Sequence, residues 1–102
     1  MLKHIVMWRF KEQADGKSRQ EHACWMKEQL ERLVGVVPEI RSLEVGVNVN
    51  PGPMAYDAVL VSLFDNAEAL ARYKAHPAHR AVSDYCKQVR ENRTVVDYEV
   101  NE

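Results

Sequence analysis

Several segments of the chain are rich in β-branched and aromatic residues whose side chains alternate between two faces, a pattern typical of β-strands. This pattern predicts strands at Leu2–Phe10, near Ile40–Val49, at about Tyr56–Phe64 and at Thr94–Val100. One face of the first predicted strand carries Leu2, His4, Val6, Trp8 and Phe10.

Apolar residues at helical spacing predict three helices between these strands. The first begins after Ser18, and Glu21 three residues later completes a capping box. A short second helix follows Asp65 or Asn66, and Pro77 opens a third helix at a first-turn position. The order β-α-β-β-α-α-β predicts an α+β protein of ferredoxin-like plan, in which one four-stranded antiparallel sheet carries its helices on one face.

Composition and charge exclude several classes of function. The 102 residues suit a single domain, which we expect to span 1–102. The formal net charge of -1, without a basic block, argues against nucleic acid or a membrane surface as a partner. We expect no signal peptide and no membrane-spanning segment. Cys24 and Cys86 lie on separate predicted helices without metal-ligand spacing, which favours reduced thiols in a cytoplasmic protein.

The third predicted strand is apolar on both faces. Leu60 and Phe64 share one face, whereas Val61 and Leu63 share the other. Helices from two crossovers cover only one side of such a sheet, and soluble monomers avoid a large bare apolar face. The pattern therefore predicts a homodimer that forms through the apolar sheet face about a two-fold axis.

Five segments together resemble the stress-responsive A/B barrel domain family, often called Dabb: KHIVMWRF, GVVPEIRSLEVGVNV, AYDAVLVSLFDNAEAL, YKAHPAH and VVDYEV. The likeness covers nearly the whole chain, and YKAHPAH is its most specific part. The resemblance implies a dimeric α+β barrel built from two ferredoxin-like subunits. Most members of the family have no assigned activity, although a plant member is a cofactor-independent polyketide cyclase.

The resemblance to that cyclase implies roles for individual residues. Its catalytic pair falls on Tyr73 and His79, and a further pocket histidine falls on His4. Ala58 stands where the cyclase has another pocket histidine, so this chain departs from the cyclase pattern at that position.

The residues themselves indicate a related chemistry. His79 lies in the first turn of the third predicted helix, where the helix dipole favours a neutral imidazole that can act as a general base. Tyr73 shares an inward face with Leu70, and its hydroxyl can donate a hydrogen bond to a carbonyl oxygen that gains negative charge. The two groups form a minimal set for removing a proton next to a carbonyl, without a metal or cofactor.

A candidate ligand pocket lies between the predicted sheet and helices. Its candidate ligand-binding residues are His4, Trp8, Leu60, Phe64 and His76. Each residue of the candidate site also has a structural interpretation. A histidine near a helix start is often a cap, a buried tyrosine often keeps its hydroxyl at the surface, and large apolar residues usually belong to the core.

Three functions remain open from the sequence. The first is a small-molecule-binding protein or cofactor-free enzyme that acts on a carbonyl-rich or aromatic compound. The second is a structural, stress-associated dimer without chemistry. The third, a cofactor-independent monooxygenase, rests on fold analogy alone, and a fold does not determine a function.

Overall fold

A computed structural model describes residues 1–101 and contains one antiparallel sheet and three helices. The elements are β1 (Leu2–Phe10), α1 (Arg19–Glu31), β2 (Ser42–Val47), β3 (Ala58–Phe64), α2 (Ala67–Ala75), α3 (Pro77–Val89) and β4 (Arg90–Glu99). The strands are arranged in the order β2-β3-β1-β4, and all neighbouring strands are antiparallel. This is the ferredoxin-like α+β plan that the sequence predicts.

Local side-chain caps begin the first two helices. At α1, the Glu21 amide donates to the Ser18 hydroxyl (3.2 Å), and the Ser18 amide donates to the Glu21 carboxylate (3.0 Å), which confirms the capping box. At α2, the cap is Asn66, whose side-chain oxygen accepts a hydrogen bond from the Ala69 amide at 2.8 Å. Asp65 instead forms an ion pair with Arg41, so only one of the two candidate caps serves the helix.

The strand boundaries differ from the prediction at three places. Both β2 and β3 are shorter than their apolar patterns, and the exposed Val49 lies outside β2. The last strand, β4, begins at Arg90, four residues before the predicted start. Its first residues are polar, and they pair with the end of β1 through backbone hydrogen bonds that do not depend on side-chain type. An apolar pattern cannot reveal a strand segment of this kind.

The core lies between the three helices and one face of the sheet. On β1, the face predicted from alternation is the inward face, with Val6 and Phe10 almost completely buried. The helices contribute Ala23, Met26, Leu30, Ala69, Leu70, Tyr73, Val82, Cys86 and Val89 to the same core. Burial of this apolar surface is the main contribution that holds the helices on the sheet.

The outer face of the sheet, opposite the helices, is also apolar. Strand pairing places on it Ile5, Met7, Val59, Val61, Leu63, Val96 and Tyr98. Met7 and Val96 are 43% and 62% exposed, because no helix lies over this face. The structure thus confirms a sheet that is apolar on both faces. No helix within residues 1–101 has the length and hydropathy needed to cross a membrane.

Candidate functional site

A cavity of about 410 Å³ opens between the sheet and the helices α2 and α3. Its size falls in the range of pockets that hold small organic molecules. Five candidate residues of the sequence analysis line it: His4, Trp8, Leu60, Tyr73 and His79. The structure therefore brings together residues from two strands and two helices that are far apart in the chain.

Tyr73 is completely buried on the inward face of α2. Its hydroxyl is buried, so the structural alternative in which the hydroxyl lies at the surface does not hold, and it has no hydrogen-bond partner within residues 1–101. Burial raises the pKa of Tyr73, which keeps the hydroxyl protonated and able to donate. The Tyr73 ring packs against Phe64 and His79, with centroid distances of 4.9 and 4.4 Å.

His79 lies in the first turn of α3 beside Tyr73. Its Nδ1 is 3.2 Å from the carbonyl oxygen of Lys74. Because a carbonyl only accepts, this nitrogen carries the proton, and Nε2 of the neutral ring is an acceptor. Burial lowers the pKa of His79, although the hydrogen bond to the Lys74 carbonyl opposes this effect. The charges of His4, Arg93 and Lys74 lower the pKa further. The ring is therefore neutral at pH 7, the state that a general base requires.

His4 is a second buried histidine at the cavity. Its Nδ1 is 2.5 Å from a carboxylate oxygen of Asp97, the residue directly opposite it on β4. Burial lowers the pKa of His4, although the hydrogen bond to Asp97 opposes this effect. The Asp97 carboxylate sets the ring orientation, since Nδ1–H donates to it and Nε2 is left as the acceptor. The His4 ring centroid lies 6.5 Å from that of Tyr73.

The two remaining candidates lie next to the cavity without lining it. Phe64 is fully buried and packs behind the Tyr73 ring. His76 separates α2 from α3, and its Nδ1 accepts a hydrogen bond from the Ala78 amide at 3.0 Å. It caps the helix that carries His79, which is the structural role considered for it from the sequence.

The sequence favours a solvated or interface role for Asp97, whereas the structure makes it the partner of His4. Lys74, Arg90 and Arg93 lie at the cavity wall and were not singled out from the sequence. The pairing of β4 with β1 brings Asp97, Arg90 and Arg93 to the site, and this pairing is a property of the folded sheet. Within residues 1–101, no group of three or more histidine, cysteine, aspartate or glutamate residues is arranged to hold a metal ion.

The sequence model of the stress-responsive A/B barrel domain matches residues 2–100 of this chain. The chain belongs to the stress-responsive A/B barrel family. An uncharacterised protein from Streptomyces coelicolor is 35% identical to this A/B barrel chain over 82 residues, which is 79% of this chain and 81% of that relative.

Two solved structures with the same fold differ in what is known of them. A dimeric ferredoxin-like protein of unknown function from Bacteroides fragilis has a TM-score of 0.77 and 31% identity, and the match covers 97% of this chain and 95% of that one. Hydroxynitrile lyase from Passiflora edulis has a TM-score of 0.80 and 19% identity, over 99% of this chain and 94% of that one. Membership of the A/B barrel family thus leaves the function of this chain open.

Proposed function

We propose that this A/B barrel protein binds a small carbonyl compound between its sheet and its helices and removes a proton next to the carbonyl without a cofactor. The completely buried hydroxyl of Tyr73, which has no partner within residues 1–101, is the observation that carries this proposal. A buried donor without an acceptor destabilises a folded protein, and a ligand carbonyl in the adjacent cavity supplies that acceptor.

The proposed step uses His79 as the base. Its Nε2 accepts a proton from the carbon next to the carbonyl, and the electron pair of the broken C–H bond forms an enolate. The carbonyl oxygen gains the negative charge and accepts a hydrogen bond from the Tyr73 hydroxyl. The protonated His79 then gives a proton back to the enolate carbon, which restores the carbonyl and the neutral base. When the imidazolium proton first exchanges with heavy water, the carbon receives deuterium instead. The raised pKa of Tyr73 and the lowered pKa of His79 both hold the groups in the protonation states that this step needs.

The apolar wall of the cavity supports this assignment. Trp8 and Leu60 lie on the sheet side, with exposures of 5% and 2%. A wall of this kind binds the apolar part of a ligand and excludes water, which strengthens the hydrogen bond to the developing oxyanion.

We also propose that the protein is a cytoplasmic homodimer that forms through the outer face of the sheet. The apolar residues of that face and the dimeric state described for similar structures support the dimer. Both cysteines are free, which is in keeping with a reducing compartment.

Proton exchange in heavy water tests the proposed step. We expect the protein to accelerate the incorporation of deuterium next to the carbonyl of 4-phenyl-2-butanone, measured by mass spectrometry. His79→Gln and Tyr73→Phe each reduce this rate about 100-fold or more. The matched control is Tyr85→Phe, because the Tyr85 hydroxyl bonds to Asp15 outside the cavity. A wild-type rate equal to that of buffer, or an unchanged rate in His79→Gln, overturns the proposed step.

A structural dimer is the second candidate, and the exposed apolar outer face favours it. In that case the cavity residues serve only packing. Ketone binding is then absent, whereas the dimer persists on dilution.

A further inference from the structure

Positive charge is concentrated at the cavity, although the chain as a whole is nearly neutral. The sequence has 14 lysine and arginine residues and 15 aspartate and glutamate residues. The basic residues that line the cavity are Lys74, Arg80, Lys87, Arg90 and Arg93, whereas Asp84 is the single acidic residue among the described lining residues. Such a field attracts an anionic ligand and raises its local concentration.

Most of these cations have no acidic partner. Within residues 1–101, ion pairs within 4 Å involve neither Lys74 nor any of the three arginines Arg80, Arg90 and Arg93. Lys87 pairs with Asp84 at 3.9 Å, and Asp97 is already bonded to His4. The charge at the cavity is therefore available to a ligand.

The sheet register explains why two arginines reach the cavity. Arg93 lies opposite Trp8 and Arg90 lies opposite Phe10, so both are on the inward face of β4. Arg90 is half-buried, and the other residues of this edge strand are exposed. The arginines thus stand at the open side of the cavity, beyond its apolar wall.

We infer that the ligand of this cavity is a small organic acid, whose apolar body lies against Trp8 and Leu60 and whose carboxylate is bound by Arg93 with Arg90 and Lys74. This inference rests on the proposed function and names the chemical class of its ligand. A guanidinium group binds a carboxylate through paired, charge-assisted hydrogen bonds, and the apolar wall holds the rest of the molecule.

Arg93 is central because it lines the same cavity as Tyr73 and His79 and lies opposite Trp8 in the sheet. A carboxylate bound at Arg93 therefore shares one cavity with the Tyr73 hydroxyl and the His79 ring. An acid that also carries a carbonyl group, such as an oxo acid, offers its carboxylate to Arg93 and its carbonyl to Tyr73.

A charge-matched pair of probes tests this inference. The probes are 3-phenylpropanoate and its neutral amide, 3-phenylpropanamide, with 4-phenyl-2-butanone as a neutral ketone. Binding is followed by NMR through the indole N–H of Trp8, which lines the cavity, while the indole of Trp25 serves as an internal reference because it packs on Tyr85 elsewhere. We expect the carboxylate to bind about tenfold or more tightly than the amide, and high salt to reduce this difference.

Variants of the arginines test which groups produce the preference for the carboxylate. Arg93→Gln and, separately, Arg90→Gln reduce the preference for the carboxylate without weakening the amide. Arg32→Gln is the matched control, since Arg32 lies at the end of α1 and pairs with Glu28 on the surface. Circular dichroism confirms that each variant is folded.

The outcomes separate this inference from the proposed function. If the ketone binds at Trp8 while the carboxylate and the amide bind equally, the acid assignment is overturned and the carbonyl site stands. If the carboxylate preference persists in both Arg93→Gln and Arg90→Gln, the assignment to these arginines is wrong. If none of the three probes shifts the Trp8 signal, the proposed function and the inference both fail.

Discussion

The hydroxyl of Tyr73 is buried without a hydrogen-bond partner within residues 1–101, while the neighbouring His79 ring keeps an acceptor nitrogen. An unsatisfied buried polar group destabilises a folded protein by about 1–3 kcal/mol. Burial raises the pKa of the phenol and lowers that of the imidazole. The same burial thus weakens the fold locally and prepares a donor and a base for a ligand.

Removal of the Tyr73 hydroxyl tests whether it is unsatisfied. We expect Tyr73→Phe to leave the free energy of unfolding unchanged or to raise it by about 1 kcal/mol, because the variant no longer buries an unpaired donor. Tyr85→Phe should lower it by about 1 kcal/mol through loss of the 2.8 Å hydrogen bond to Asp15. Urea unfolding measures the free energy of unfolding of both variants. A large loss of stability in Tyr73→Phe would show that the hydroxyl makes a stabilising hydrogen bond, which contradicts this prediction.

The pH profile of proton exchange should follow the titration of His79. Because burial lowers its pKa below the usual 6.5, the base is fully available at pH 7. The rate therefore stays constant from pH 8 to 7 and falls only as the pH drops through the lowered pKa. The other charged or titratable groups that act on this ring are His4, Lys74 and Arg93. An NMR titration of the His79 ring gives its pKa directly, and a value above 6.5 would falsify this prediction.

At the scale of elements, the junction between α2 and α3 explains the motif YKAHPAH. The His76 amide donates to the Tyr73 carbonyl at the end of α2, and the His76 side chain caps α3. Pro77 then occupies the first turn, where its missing N–H is not needed. The junction places Tyr73 and His79, which lie on different helices, in ring contact. Within the motif, His76 and Pro77 therefore have the structural role, and Tyr73 and His79 are the candidates for function.

Substitution of the cap tests this division of roles. We expect His76→Ala to lower the free energy of unfolding by about 1 kcal/mol through loss of the bond from the Ala78 amide. His76→Asn should restore most of the stability, since asparagine is a good N-cap. Neither variant should abolish ligand binding, because His76 does not line the cavity. Loss of binding in the stable His76→Asn variant would instead assign His76 to the site.

At the scale of the whole molecule, the sheet separates two surfaces with different roles. The helix-covered face forms the core and the cavity, and the outer face presents apolar residues to solvent. A second copy of the chain offers the same apolar face, and a two-fold axis satisfies both copies at once. The core and the cavity thus share the helix-covered side of the sheet, and the proposed dimer uses the other side.

A charge on the outer face should prevent dimerisation. Val61 lies opposite Ile5 near the middle of that face, and Val61→Lys places an unpaired charge in the proposed interface. We expect the dissociation constant of the dimer to rise about 30-fold or more, measured by light scattering over a dilution series. Val95→Lys is the control, because Val95 lies opposite Val6 on the other side of the sheet. Equal effects of the two substitutions would contradict this interface.

The sequence by itself determined the element order, the inward face of β1, the helix cap at Ser18, the start of the third helix at Pro77, and the apolar character of both sheet faces. These features depend on residues close together in the chain, and periodicity and capping chemistry reveal them. The resemblance to the A/B barrel family also identified Tyr73, His79 and His4, which the fold brings to one cavity.

Only the tertiary structure decided which groups surround these residues. Asp97 reaches His4, and Arg90 and Arg93 reach the cavity, because β4 pairs with β1 in one register. The early start of β4 was hidden by its polar side chains, since backbone pairing rather than hydrophobicity forms it. Whether the Tyr73 hydroxyl has a partner is likewise a property of packing. Partners supplied by distant strands depend on strand order and register, which local patterns do not encode.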